Sequence, residues 1–257
     1  MNVEREPLPT HVRDTPALPS AYDSALRVGL AQAGLILRPE AREVIDGHVR
    51  LLLAWTEAIN LTAIRDPEVA ATAHVLDSLS AVALLRDRGI ERFLDLGSGG
   101  GLPGIPLAAA LPAAEAMLVE PIGKKARFLA TAIAATGLDA TVRVAATRAE
   151  TLAADPRHRG RWPAVTSRAV GRAAELIELA FPLLAPGGIL VAWKRGDLED
   201  ERRSAETAAK ALGGGHIEIL EVDLPGLPGH QLFVVTRAGS VPDAYPRDPG
   251  ARRRRPW

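Results

Sequence analysis

The sequence predicts an α/β fold, a doubly wound sheet of five parallel strands plus a C-terminal antiparallel hairpin, with helices added at the N-terminal side. Three observations carry this. Between residues 92 and 194, short apolar runs alternate with helical stretches. The first run, RFLDLG (92–97), passes directly into a turn containing Gly97, Gly99, Gly100 and Gly101. The last two strand-like segments, HIEILEVDL (216–224) and HQLFVVTRA (230–238), are joined only by PGLPG. That linker is too short for a parallel crossover, so the two must pair antiparallel.

Taken in order, residues 1–19 carry four prolines and mixed charge without periodicity, and are expected to form a disordered tail. Residues 20–90 read as a helical extension packed on the core. Within it, EVIDGHVRLLLAWTEAINL sets Val44, Ile45, His48, Leu51, Leu52 and Trp55 along one helical face. Pro67 suits a first helical turn, with Asp66 as its N-cap. The core, 91–238, has expected strands at 92–97, 116–121, 141–146, 163–169 and 188–194, with helices near 103–111, 123–136 and 172–184. Residues 239–257, which contain the run Arg252–Arg255, are expected to be a second, basic disordered tail.

Composition narrows the function classes. The 257-residue chain holds 31 basic and 31 acidic side chains, so no global field draws nucleic acid and a local basic patch would be needed. With no cysteine, disulfides, thiolate metal sites and cysteine nucleophiles are excluded together. The six histidines (11, 48, 74, 158, 216 and 230) never fall at metal-ligand spacing, so no metal is expected. No apolar leader opens the chain and no stretch approaches about 18 uninterrupted apolar residues. A cytoplasmic protein without membrane attachment is expected, and a monomer.

The glycine turn lies where the first strand of an open parallel sheet meets its helix, the place such folds bind ligands. One or two glycines would make a tight turn; four, followed by Pro103 and Pro106, exceed that need. Gly99-Gly100-Gly101-Leu102-Pro103-Gly104 fits the dinucleotide pattern G-x-G-x-x-G, which alone is weak evidence. Asp95-x-Gly97-x-Gly99-x-Gly101 resembles the first motif of S-adenosylmethionine (SAM) methyltransferases. Glu120, ending the second strand, is placed to accept ribose hydroxyls, which either cofactor offers. The terminal hairpin discriminates: it resembles the class I, Rossmann-like SAM methyltransferase core, whereas nicotinamide folds usually complete a second parallel half.

Zero cysteines removes thiolate activation of a pyrimidine carbon. The Asn/Asp-Pro-Pro-Tyr/Phe stretch used on exocyclic amino groups is missing; its place reads Thr166-Ser167-Arg168-Ala169. A ring nitrogen such as guanine N7 has a free lone pair and no proton, and needs only placement.

NLTAIRDPEVAATAHVLDSL (60–79), FLDLGSGGGLPGIPLA (93–108), GKKARFL (123–129), RAE (148–150) and SRA (167–169) follow one another in an order and spacing that resemble a single family. It is the bacterial glucose-inhibited division protein B family, the small-subunit rRNA guanine-N7 methyltransferases. The similarity runs from about residue 22 to 238. It implies SAM as cofactor and 16S rRNA of the small ribosomal subunit as substrate. Carried over position by position, it implies cofactor contacts from Gly97 and Leu102 in the glycine turn, and from Glu120, where many members have aspartate; Gly99 is added from the reading of the turn itself. Ala149 and Glu150 would meet the adenine, and Arg168 completes the set. Arg168 is also assigned a positioning role in catalysis, and Lys194, at the end of the fifth strand with Arg195, a contact to RNA or to the purine. Two alternatives stay open here: a nicotinamide-dependent oxidoreductase, and a noncatalytic SAM- or ribosome-binding protein.

His74, Asp77 and Ser78 share a helix face, either as a packing cluster or beside the site. Lys124, Lys125 and Arg127, with Arg157, Arg159 and Arg161, are read as one phosphate-binding patch. The run Arg252–Arg255 either adds nonspecific RNA affinity or keeps the chain soluble.

Overall fold

The computed structural model describes residues 7–168 and 171–257. Seven strands form one sheet: β1 (Arg92–Leu96), β2 (Glu115–Val119), β3 (Val142–Ala145), β4 (Trp162–Arg168), β5 (Leu184–Arg195), β6 (Gly215–Glu221) and β7 (His230–Arg237). Their order is β3-β2-β1-β4-β5-β7-β6. Strands β1 to β5 pair in parallel, and β7 is antiparallel to both β5 and β6. The expected hairpin is present, but its second strand is the one that joins the sheet. Among the described residues β7 is therefore the single reversed strand, and its first residue, His230, lies opposite Arg195 at the carboxyl end of β5. The fourth expected strand ran to Ala169, which lies outside the described residues, as do residues 1–6 of the expected N-terminal tail.

Both sheet faces are covered, so the central strands are apolar along their whole length. Along β5, Ile189, Val191 and Trp193 enter one core cluster, while Leu190 and Ala192 enter the other. On the first face lie α1 (Ser20–Gln32), α2 (Pro39–Ile59) and a helical run made of α3 (Pro67–Ala70), a π turn (Ala71–Leu76), α4 (Asp77–Leu79) and α5 (Val82–Asp87), followed by α6 (Gly104–Ala110) and α7 (Gly123–Ala135). On the second lie α8 (Ala149–Ala154), α9 (Ala173–Ala180) and α10 (Glu199–Ala211). The α2 stripe is buried as its spacing predicts, with Ile45, His48, Leu51 and Leu52 fully enclosed. Trp55 from the same stripe packs on Phe128 of α7, ring centroids 5.4 Å apart. Asp66 caps α3 by accepting from the Glu68 amide at 2.8 Å.

The run Pro67–Asp87 is apolar and long enough to cross a membrane by composition, yet 61% of its most apolar window is buried inside the fold. It is a core element. Helix α10 has no counterpart in the sequence reading because its buried face holds only Ala205, Ala208 and Ala209, with no large apolar side chain to mark it. The expected helix at 172–184 ends at Ala180, since Leu184 already pairs with Trp162 at the start of β5.

Both expectations of a disordered terminus are corrected over the described residues. Residues 7–19 lie along α2: the Trp55 indole donates to Pro9 O at 2.8 Å, and Arg50 donates to Pro16 O at 2.8 Å. Residues 239–257 end in a further helix, α11 (Pro249–Arg254), docked on α8 and α9. Composition suggested disorder; donors of α2 on backbone carbonyls order the first segment, and carboxylates of α8 and α9 order the last.

Candidate functional site

The glycine turn leaves the carboxyl end of β1 and is hooked to the end of β2. The amides of Gly97 and Ser98 both donate to Val119 O, at 2.9 and 3.2 Å. Gly97, Gly99 and Gly101 have φ of 72°, 53° and 82°, the left-handed region that side chains strain to adopt. Their surroundings divide the glycines into two kinds. A Cβ on Gly100 would lie 2.7 Å from Leu52, on Gly101 2.6 Å from Ile105, and on Gly104 2.3 Å from Leu118. These three let α2, α6 and β2 pack against the turn. A Cβ on Gly99 would meet only Gly97 O, at 3.8 Å, and otherwise open space. Gly99 is where the turn opens onto free space.

Glu120 closes this half of the site. Its Oε2 accepts from the Gly99 amide at 2.9 Å and its Oε1 from the Ile122 amide at 2.8 Å. A carboxylate has about four acceptor positions, so two remain for hydroxyl donors such as those of a ribose. The open edge at Gly99 and the spare acceptor capacity of Glu120 fit SAM. Leu102 buries its side chain in the core and its amide donates to Ser98 O at 3.2 Å, which leaves its carbonyl for a ligand. Ala149 and Glu150 open α8 just past the carboxyl end of β3, but the Glu150 carboxylate is paired with Arg252, again leaving backbone.

Two buried groups support the turn from beneath. Asp95 is fully enclosed; Oδ1 accepts from Thr166 at 2.8 Å, tying β1 to β4, while Oδ2 has no partner. Burial pushes its carboxyl up to about 6. His48 reaches Gly100 O through Nε2 at 2.7 Å. A carbonyl can only accept, so Nε2 carries the proton and Nδ1 is the bare nitrogen, which is buried without a partner. Burial lowers this imidazole to about 4 and keeps it neutral.

The second half of the site is assembled around Arg168 at the carboxyl end of β4. Its Nη1 donates to Asp77 Oδ2 at 2.9 Å and to Ala73 O at 3.1 Å, and its Nη2 lies 3.3 Å from His74 Nδ1. The π turn makes this possible. In a regular α-helix the Asp77 amide would bond Ala73 O; here it is shared between His74 O and Thr72 O, and the Ala73 carbonyl accepts from Arg168. The other Asp77 oxygen accepts from His230 Nδ1 at 2.9 Å, and the Trp193 indole donates to Asp77 O at 2.6 Å. His74, whose Nε2 lies 2.7 Å from Thr62 Oγ1, is held at about 4 by burial and by the Arg168 charge.

Arg168, Trp193, Arg195 and His230 line a cavity of about 270 Å³ beside this cluster. His74 and Asp77, one helix face in the sequence, are both brought to Arg168; Ser78 instead bonds back to His74 O within the helix. Sequence reasoning missed His230, which stands 153 residues from Asp77 and has no motif around it. Lys194 also borders the cavity, but its ammonium is held by Glu201 at 2.8 Å and Gly171 O at 2.9 Å, which ties α10 to the loop before α9. The single patch expected of Lys124, Lys125, Arg127, Arg157, Arg159 and Arg161 is corrected. The first three follow the carboxyl end of β2, whereas residues 157–161 precede β4 at the opposite edge of the sheet. There Arg157 pairs with Asp155 and Arg159 with Asp243.

Comparison with known proteins gives this geometry a context. Residues 42–225 match the family model GidB, described as rRNA small subunit methyltransferase G. A ribosomal RNA small subunit methyltransferase G of Roseiflexus sp. (strain RS-1) is 42% identical over 224 residues, covering 87% of this chain and 94% of the relative. The protein of the same name from Dehalococcoides mccartyi (strain CBDB1) is 39% identical over 223 residues, covering 86% and 94%. Among solved structures, the SAM-dependent methyltransferase SibL in its apo form matches with TM-score 0.54 and 15% identity over 84% of this chain and 74% of that one. A putative O-methyltransferase from Klebsiella pneumoniae also reaches 0.54, at 17% identity over 82% and 94%. The solved structures share the fold; the sequence relatives share most of the chain.

Proposed function

The chain belongs to the GidB family of rRNA small subunit methyltransferases, and on that footing we propose that it methylates N7 of a guanine in 16S rRNA, using SAM, as a cytoplasmic monomer. The observation that carries this reading is the meeting of two half-sites at one sheet edge. Gly99 and Glu120 supply an open, hydrogen-bonding cradle beside β1, and the Arg168 cavity lies beside the adjacent β4. The chain is a SAM-dependent enzyme, so the nicotinamide alternative falls away.

When bound, SAM supplies an electrophilic methyl group on a sulfonium. The Gly97–Leu102 backbone, Glu120, and the Ala149–Glu150 backbone would hold it. On the other side, Trp193 and His230 frame a space for the base, while Arg195 at the rim can meet phosphate. Guanine N7 has no proton to remove, so no side chain need act as a base. The catalytic demand is alignment.

Arg168 meets that demand as a positioning residue. Its planar fork fastens the π turn to β4 through a carbonyl, a carboxylate and an imidazole at once, which an ammonium cannot reproduce. Arg168→Lys should keep SAM affinity within about threefold and slow single-turnover methyl transfer to undermethylated small subunits by about tenfold, ~1.4 kcal/mol of lost alignment. A rate within about twofold of wild type would remove Arg168 from the mechanism. Mass mapping of rRNA nucleosides from cells with and without the protein tests the target itself; an unchanged N7-methylguanine content would refute it.

A further inference from the structure

Residues 239–257 lie outside the 42–225 family match, and their path over the protein is specific. Beyond β7 the chain starts at the amino edge of the sheet, where Arg159 donates to Tyr245 O at 3.0 Å and to Pro242 O at 3.3 Å. It then climbs the outer surface of α9. Glu178, fully buried, accepts from the Arg247 guanidinium at 2.5 and 2.9 Å, from the Arg247 amide at 2.8 Å, and from the Trp257 indole at 2.7 Å. Arg247 also stacks over the Trp257 ring, 4.7 Å from its centroid. Asp248 caps α11 by accepting from the Ala251 amide at 2.9 Å. Arg252 then pairs with Glu150 in the first turn of α8 and lies 3.6 Å from Glu175 in the first turn of α9. Arg252 thus brings α11 to the carboxyl edge, which carries both half-sites, before the chain turns back so that Arg255 O accepts from Arg247 at 2.8 Å and Trp257 meets Glu178.

The arginine run divides by role. Arg252 is a clamp whose side chain is 10% exposed. Arg253, Arg254 and Arg255 face solvent, and among the described residues none has a carboxylate partner within ion-pair distance. Exposed Arg172, at the N-cap of α9, borders the same pocket as Arg253. The chain as a whole is neutral, so this concentration of charge is local. A guanidinium fork matches a phosphate with two parallel hydrogen bonds, and each phosphate neutralised releases counterions.

We propose that α11 is a docked arm that binds the phosphate backbone of the substrate RNA through Arg253, Arg254 and Arg255, alongside the active site. The proposal rests on the rRNA reading above. It differs from a loose basic tail in that Glu178 and Glu150 fix where the arginines stand.

Two variants test it: the triple Arg253→Ser, Arg254→Ser, Arg255→Ser, and Glu178→Gln, which keeps the three arginines and loosens their anchor. Binding to small subunits is measured against salt, together with steady-state transfer, SAM affinity and melting temperature. The triple variant should raise KM for subunits about fivefold and lower the log–log salt slope by about 2, with kcat and SAM affinity within twofold. Glu178→Gln, compared at temperatures where it remains folded, should raise KM as well. An unchanged KM and slope in the triple variant overturns the arm. A raised KM in the triple variant with wild-type KM in Glu178→Gln also overturns it, leaving an undocked tail. A wild-type chain that transfers no methyl to rRNA yet binds it with the arginine-dependent slope would sink the enzymatic reading alone.

Discussion

The two halves of the site are built differently. The glycine turn and Glu120 come from one stretch of 26 residues, 95–120, a single βαβ unit whose hydrogen bonds are mostly local. The Arg168 half draws Ala73, His74, Asp77, Arg168, Trp193 and His230 from four separate segments. A local unit can present backbone to a cofactor, because glycines and strand ends suffice. Aligning a base needs side chains fixed from several directions, and only distant segments can surround a point in that way.

The sharpest break is expected at Asp77. It is 5% exposed, with Arg168 on one oxygen and His230 on the other. Asp77→Ala would strand a buried guanidinium and should cost about 3–5 kcal/mol, read as the change in urea unfolding free energy. Asp77→Asn keeps the shape and should lower transfer more than SAM affinity. Equal losses of both would mean that the two halves are one unit.

Next come the glycines. Gly99→Val should abolish measurable SAM binding, at least about a hundredfold (~2.7 kcal/mol), while the melting temperature changes little beyond the strain at φ 53°. Gly104→Val should do the reverse, destabilising the fold by about 1–3 kcal/mol or more through its clash with Leu118. Calorimetry and thermal melts on both variants check this. A stable Gly104→Val would show that the tight contact relaxes freely.

The smallest effect is a pH dependence beneath the turn. His48 and His74, both held at about 4, take up protons in the unfolded chain first. Their contribution is complete above about pH 6.5 and is lost as the pH falls toward 4. By pH 5.5 each should have given up about 1 kcal/mol. Asp95, raised to about 6, acts in the opposite sense, because the folded state protonates first as the pH falls. The two histidines outweigh it, so stability should decline between pH 7 and 5.5. His48→Gln, whose amide can still donate to Gly100 O, should flatten that decline by about 1 kcal/mol in melts at the two pH values. An unaltered decline would assign the acid sensitivity to other groups.

How much of this was legible follows the same division. The glycine turn, Glu120, the Asp66 cap and the α2 stripe were readable because each depends on neighbours in sequence. The C-terminal segment was misread because Arg247 and Arg252 looked like solvent-facing charge until Glu178, Glu150 and Glu175 were placed beneath them. Lys194 was read as meeting RNA or the purine because its strand end is at the right edge; Glu201, on a helix whose buried face is only alanine, holds it instead.

The sequence by itself determined the strand and helix alternation, the ligand edge of the sheet and the family, through periodicity, glycine conformational freedom and ordered motifs. Tertiary structure alone decided which glycine faces open space and which merely clear a neighbour. It also decided that Ala73 offers a carbonyl to Arg168, that His230 joins Asp77, and that Arg252 docks on Glu150 and Glu175. Each of those is a contact between residues distant in the chain, and local pattern carries no record of what folding will bring alongside.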